Sequence, residues 1–219
     1  MNFRTLVELP EKEVEISHSD RIMLWGSCFV ENIGRRMTEN KLRCNVNPLG
    51  ILYNPISIAS SLQQVLEGKV YVETDLFQSS GMWHSWMHHS DFSASSAEEC
   101  LERINNGISM VAESLSHTDW LVVTWGTAYV YYLKQLEKVV GNCHKQPDKL
   151  FFRRKLGVAE IVDAWKQLIT DLRSLNPHLK LLFTVSPIRH AKDGMHGNQL
   201  SKSTLLLAIS ELCDACPDC

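Results

Sequence analysis

Arg21-Ile22-Met23-Leu24-Trp25-Gly26-Ser27-Cys28-Phe29-Val30 decides how this chain folds. Ile22 to Trp25 are apolar without a break, as in a short strand covered on both faces. Gly26 allows a tight turn because it has no Cβ. Phe29, Ile33 and Met37 then recur at helical spacing, with Arg35, Arg36, Glu39 and Asn40 turned outward, so a helix follows directly. Ser27 stands where the strand hands over to the helix. In open α/β sheets ligands gather at that edge, and the free N–H groups of a helix start favour negative charge there.

The rest of the chain repeats this alternation. Residues 43–46 read as a second short strand, and Asn47-Pro48-Leu49-Gly50-Ile51-Leu52-Tyr53-Asn54-Pro55 as a loop from which Pro55 starts a helix. Residues 93–116 form a helix with a Cys100, Ile104, Ile108, Val111, Leu115 stripe. Trp120 to Trp125 form the clearest core strand, followed by Gly126-Thr127-Ala128 and a hairpin over residues 129–140. Ile161, Trp165, Leu168, Ile169 and Leu172 mark a further helix, residues 180–185 another buried strand, and residues 201–215 a last helix capped by Ser201 or Ser203. Val14 and Ile16 alternate with polar residues like a weak edge strand in the N-terminal arm. The aromatic stretch around residues 70–92, with Phe77, Trp83, Trp86, His84, His88 and His89, reads as an insertion. The expectation is one domain over residues 1–219, a three-layer α/β/α sandwich with a parallel, doubly wound, flavodoxin-like sheet and right-handed connections.

Composition narrows the function. The chain has 219 residues, 44% hydrophobic and 21% charged, as in a soluble globule with a sizeable core. A net charge of −3 leaves no electrostatic footprint for nucleic acid or an anionic membrane. No apolar run approaches the ~18 residues of a membrane span, and residues 1–20 are too polar for a secretory signal, so a cytoplasmic location is expected. Seven scattered cysteines then argue for reduced thiols. Cys213-x-x-Cys216-x-x-Cys219 has metal-ligand spacing but no fourth ligand in the run, so no metal site is assigned. One glycine after the first strand is too few for a phosphate-binding loop, so a nucleotide cofactor is not expected.

Gly26-Ser27-Cys28-Phe29 followed by Val30 resembles the signature of the GSCFA family, with valine where the family name has alanine. Four more segments are similar to that family. These are the loop of residues 47–55; Trp125-Gly126-Thr127-Ala128; Ser186-Pro187-Ile188-Arg189-His190 with Lys192-Asp193-Gly194; and Asn198-Gln199-Leu200-Ser201-Lys202. The family is similar to SGNH, or GDSL-like, hydrolases. That resemblance implies a serine esterase, with Ser27 as nucleophile and an oxyanion hole drawn from Ser27 and the Gly50 N–H. Ala128 stands where SGNH hydrolases carry an asparagine, so Asn142 from the neighbouring loop is the candidate amide. Gly126, Thr127, His144, Arg189 and His190 are the candidate substrate-binding residues. The Asp-x-x-His segment that supplies the base in SGNH hydrolases is not found, so the resemblance implies a chain truncated within its domain, with the base located beyond Cys219; His190 and His144 are the alternatives within the chain. No cofactor is implied, and the expected partner is a small-molecule or glycan ester.

Each reading has a plainer rival. A serine after a glycine at a strand end commonly caps the helix. Gly50 could be a turn glycine and Asn142 a loop residue satisfying local backbone. Cys28 could act as nucleophile at a helix start or simply be core. His84, His88 and His89 could bind metal but are read as facing substrate or packing. The alternative function is a non-catalytic module binding polar ligands such as glycans, with His84, Trp83, Trp86 and Arg189 as contacts.

Overall fold

A computed structural model describes residues 15–216. The elements run β1 (Arg21–Gly26), α1 (Cys28–Glu39), β2 (Arg43–Val46), α2 (Pro55–Leu66), β3 (Leu76–Ser79), β4 (Met82–Ser85), α3 (Ala97–Leu115), β5 (Trp120–Trp125), β6 (Tyr129–Leu133), β7 (Lys138–Val140), β8 (Phe151–Lys155), α4 (Val158–Leu175), β9 (Lys180–Val185) and α5 (Gly194–Ala215). Four strands form a parallel sheet in the order β2-β1-β5-β9. This is the doubly wound arrangement expected. The chain leaves β1 in one direction to make β2 and then returns past β1 to make β5, so the switch point lies between the carboxyl ends of β1 and β5.

Side chains along β1 alternate between two cores, as the two-residue period of a strand requires. Ile22 and Leu24 pack with Val30, Trp120 and Val122 on the α1 face. Met23 and Trp25 join the larger core, which draws on α2, α3, α4 and α5. A Cβ on Gly26 would lie 2.5 Å from the Thr124 carbonyl oxygen and 2.7 Å from Val30 Cγ2, so glycine lets β1, β5 and α1 converge. The inward face of α1 differs from expectation. Val30 and Gly34 are buried, whereas Ile33 is 37% exposed. Gly34 is the cause: a Cβ there would meet Val46 Cγ2 at 2.4 Å, so the helix turns this bare position to β2.

The insertion holds the β3–β4 hairpin, and β7-β6-β8 form a separate antiparallel sheet. The hairpin of residues 129–140 is therefore present, but β8 is an addition. Phe151 is its buried residue, and the charged run Arg153-Arg154-Lys155 hides the strand pattern in sequence. The last helix begins at Gly194, not Ser201. Ser201 is buried in the helix body, where its Oγ accepts the Ala128 N–H at 2.8 Å. Tertiary partners for Asn198 and Ser201 outweigh the weak helix preference of residues 194–200. The edge pattern at Val14 lies outside the described residues; Ile16 packs beside Ile22 and Leu24.

The insertion also contains a titratable core residue. His88 is 1% exposed, its Nδ1 within 2.9 Å of Ser85 Oγ and its ring edge-on to Tyr71. Burial, then the Lys69 and His144 charges, push its pKa down to about 3. Protonation therefore favours the unfolded chain. The associated stability is complete above the unfolded value of ~6.5 and is lost as pH falls toward 3, at roughly 1.4 kcal/mol per pH unit. Urea denaturation at pH 5 is expected to show a loss of about 2 kcal/mol from His88 relative to pH 7, and His88→Asn to reduce the slope by that amount.

Candidate functional site

The switch point brings together two turns distant in sequence, Gly26-Ser27 after β1 and Gly126-Thr127 after β5. Asn47 braces the first. Its Oδ1 accepts the Gly26 N–H at 2.9 Å, while its Nδ2 is buried with no partner among the described residues. Ser27 is 3% exposed and caps α1, its Oγ accepting the Phe29 N–H at 3.3 Å. The capping role is thus real, and it holds the hydroxyl at the positive end of the helix.

Gly126 is fixed from both sides. Its N–H donates to the Tyr53 carbonyl at 2.8 Å, and its own carbonyl accepts from Lys202 Nζ at 2.6 Å. A Cβ on Gly126 would sit 3.6 Å from His190 Nε2 and 3.7 Å from Ser27 Cβ. Ser27 and His190 therefore flank one small gap whose floor is a residue without a side chain.

His190 is placed by its backbone N–H, which donates to the buried Asn198 Oδ1 at 3.0 Å. Its ring is edge-on to Tyr53, with centroids 6.4 Å apart. Nε2 is buried with no hydrogen-bond partner among the described residues. Burial and then the Lys202 ammonium hold its pKa below the ordinary imidazole value, against opposing pulls from the Gly126 backbone and Asp193. That direction favours the neutral ring, the state a proton acceptor needs. Burial, followed by Cys28 and Glu31, raises the pKa of Tyr53 on the same side.

The other expected site residues sit elsewhere or are already engaged. The Gly50 N–H donates to the Asn47 carbonyl at 2.8 Å and closes a turn, and a Cβ on Gly50 would strike His89 Cβ at 2.4 Å. In this arrangement its donor is engaged within the turn. Asn142 lies against the insertion: its N–H donates to the Trp86 carbonyl at 3.1 Å and its Oδ1 accepts the His144 N–H at 2.8 Å. His144 bonds the Ser85 carbonyl at 2.8 Å and lies 4.6 Å from the His84 ring, within the same cluster. Neither contact set belongs to the Ser27 gap. Thr127 Oγ1 pairs with Ser201 Oγ at 3.2 Å and accepts the Tyr129 N–H, so it braces the second turn. Arg189 is exposed.

The aromatic insertion is held by its own contacts. Trp86 stacks on Phe77 at 3.7 Å, His84 bonds Ser93 Oγ at 2.7 Å, and His89 pairs with Asp91 at 3.0 Å. Cys28 is an exposed free thiol; Cys213 and Cys216 are free and half-buried, and Cys219 lies outside the described residues. Among the described residues, no helix is long and apolar enough to cross a membrane.

Three participants escaped the reading of the sequence, namely Asn47, Tyr53 and Lys202. All lie inside segments that carry the family resemblance, so motif membership was the available signal; hydrophobic periodicity was silent.

Comparison with curated proteins and with solved structures gives no match. The model of the GSCFA family matches residues 21–219, which contain every element from β1 to α5, and the chain therefore belongs to the GSCFA family.

Proposed function

We propose that the chain is a serine hydrolase of ester bonds, a class that includes O-acetyl groups on glycans. The convergence of Ser27 and His190 on the bare floor at Gly126 carries this reading. The resemblance to SGNH hydrolases supports it. Ser27 Oγ attacks the ester carbonyl as its proton passes to His190 Nε2. N–H groups of the first turn of α1 hold the oxyanion. His190 then returns the proton to the departing alkoxide, and water releases the acyl group from Ser27 by the reverse sequence.

A fluorophosphonate that phosphonylates activated serines tests this. The expected result is one adduct on the Ser27 peptide, formed by the folded protein and not by the urea-denatured one. His190→Ala is expected to slow labelling by about 10²-fold or more. Unchanged labelling would move the base to another group. Because the neutral imidazole is the active form and its pKa lies below ~6.5, the rate should hold at neutral pH and fall only on further acidification.

Gly126→Ala tests the floor itself. The glycine does not occupy the left-handed region, and its added methyl would meet the Tyr53 carbonyl at 3.1 Å, a contact that a shift of a few tenths of an ångström would relieve. The same methyl would fill the gap. Labelling is expected to fall about 10²-fold, with little change in melting temperature.

A non-catalytic module for polar ligands such as glycans is the second reading. It is favoured by the engagement of Ser27 Oγ as a cap and of the Gly50 amide in a turn. Absence of the Ser27 adduct, with binding of an acetylated oligosaccharide retained, would decide for it.

A further inference from the structure

Lys202 lies on α5, yet its ammonium reaches across to the main sheet. Nζ donates to the Gly126 carbonyl and to the Ser186 carbonyl, each at 2.6 Å. Those carbonyls follow β5 and β9, adjacent strands whose last registered pair is Trp125 and Val185. One side chain thus joins two strand ends just where hydrogen bonding between the strands stops. The peptide it grips on the β5 side is the floor of the gap between Ser27 and His190.

The titratable groups around His190 come from four directions. Lys202 approaches from α5, Asp193 from the same loop, and Arg153 from β8, while Tyr53 presents its ring from the segment before α2. Arg153 and Asp193 form an ion pair, with the Asp193 side chain 2% exposed, so their charges offset one another. Among the described residues Lys202 has no carboxylate partner; it bonds two neutral carbonyls. It is the net positive influence on the imidazole.

We propose that Lys202 is the positioning residue of the Ser27 site, tying the ends of β5 and β9 together beneath the reacting groups and holding a positive charge at the floor of the gap that His190 faces. Its catalytic meaning rests on the hydrolase reading; its effect on His190 does not. Burial draws the Lys202 pKa down to about 8, so the ammonium is present at neutral pH and is discharged within an accessible range.

The test is a proton NMR titration of the His190 ring, run beside the Ser27 labelling rate. In Lys202→Met the His190 pKa should rise toward ~6.5 by roughly half a pH unit or more, and the acid limb of the labelling profile should rise with it. Lys202→Arg, which keeps the charge, should restore most of the wild-type values. In the wild type, the His190 resonances should show a second inflection near pH 8 as Lys202 loses its proton; this serves even if Lys202→Met does not fold. An unmoved His190 pKa in a folded Met variant, or no second inflection in the wild type, would overturn the proposal. A wild type that fails to label at Ser27 but shows both NMR effects would overturn the hydrolase reading alone.

Discussion

Ser27→Ala is expected to lose hydrolysis of a short-chain aryl acetate by on the order of 10⁴-fold or more, with the fold intact. The serine has two jobs, and the experiment must separate them. As the cap of α1 it accepts the Phe29 N–H, and alanine forfeits that bond at about 1 kcal/mol. As the proposed nucleophile it supplies the atom that attacks the ester, for which alanine has no substitute. Ser27→Gly is the companion variant. Glycine caps within a few tenths of a kcal/mol of serine but has no hydroxyl. Equal loss of activity in both variants, with a stability deficit mainly in the alanine one, would assign the chemistry to the hydroxyl. Activity within tenfold of wild type in either would remove Ser27 from the reaction and make the neighbouring exposed Cys28 thiol the next group to test.

Trp165→Ala is expected to cost about 3–5 kcal/mol, read as a lower urea midpoint at similar slope. Trp165 on α4 is fully buried against Trp125 of β5 and Phe183 of β9, with ring centroids 5.5 Å and 5.1 Å away. Its indole N–H donates to the Pro55 carbonyl at the start of α2, at 3.2 Å. The loss thus combines a large cavity with an orphaned buried carbonyl. Of the three largest fully buried side chains among the described residues, Trp25 and Trp125 have no partner there for the indole N–H, whereas Trp165 also joins elements by hydrogen bonding. Trp165→Phe should recover most of the packing and remain short by about 1 kcal/mol for the missing N–H.

Much of the fold was legible because it is written in short-range pattern. The apolar block at Ile22 to Trp25 and the α4 stripe around Trp165 carry the periods of strand and helix. Pro55 marks the first helical residue of α2, and the structure adds a cap before it, Asn54 Oδ1 accepting the Ser57 N–H at 2.8 Å. The misses share a physical cause. The start of α5 and the strand β8 are stabilised by groups far away in the chain, Ala128 for Ser201 and Asp193 for Arg153, which periodicity does not report. For the site, sequence pointed to the two turns and to His190. It could not tell that the Gly50 amide turns back on Asn47, that Asn142 faces Trp86, or that Lys202 crosses to two strand ends, because each depends on the path of a loop in space.

The anchoring of α5 bears on when the site comes into being. Asn198, Ser201 and Lys202 hold the His190 amide, the Ala128 amide and the carbonyls of Gly126 and Ser186. During synthesis Ser27 leaves the ribosome well before these three residues, which lie far later in the chain. Contacts this distant in sequence form late. The nascent chain therefore carries Ser27 as a helix cap at first, and the gap at Gly126 takes its shape only when α5 docks.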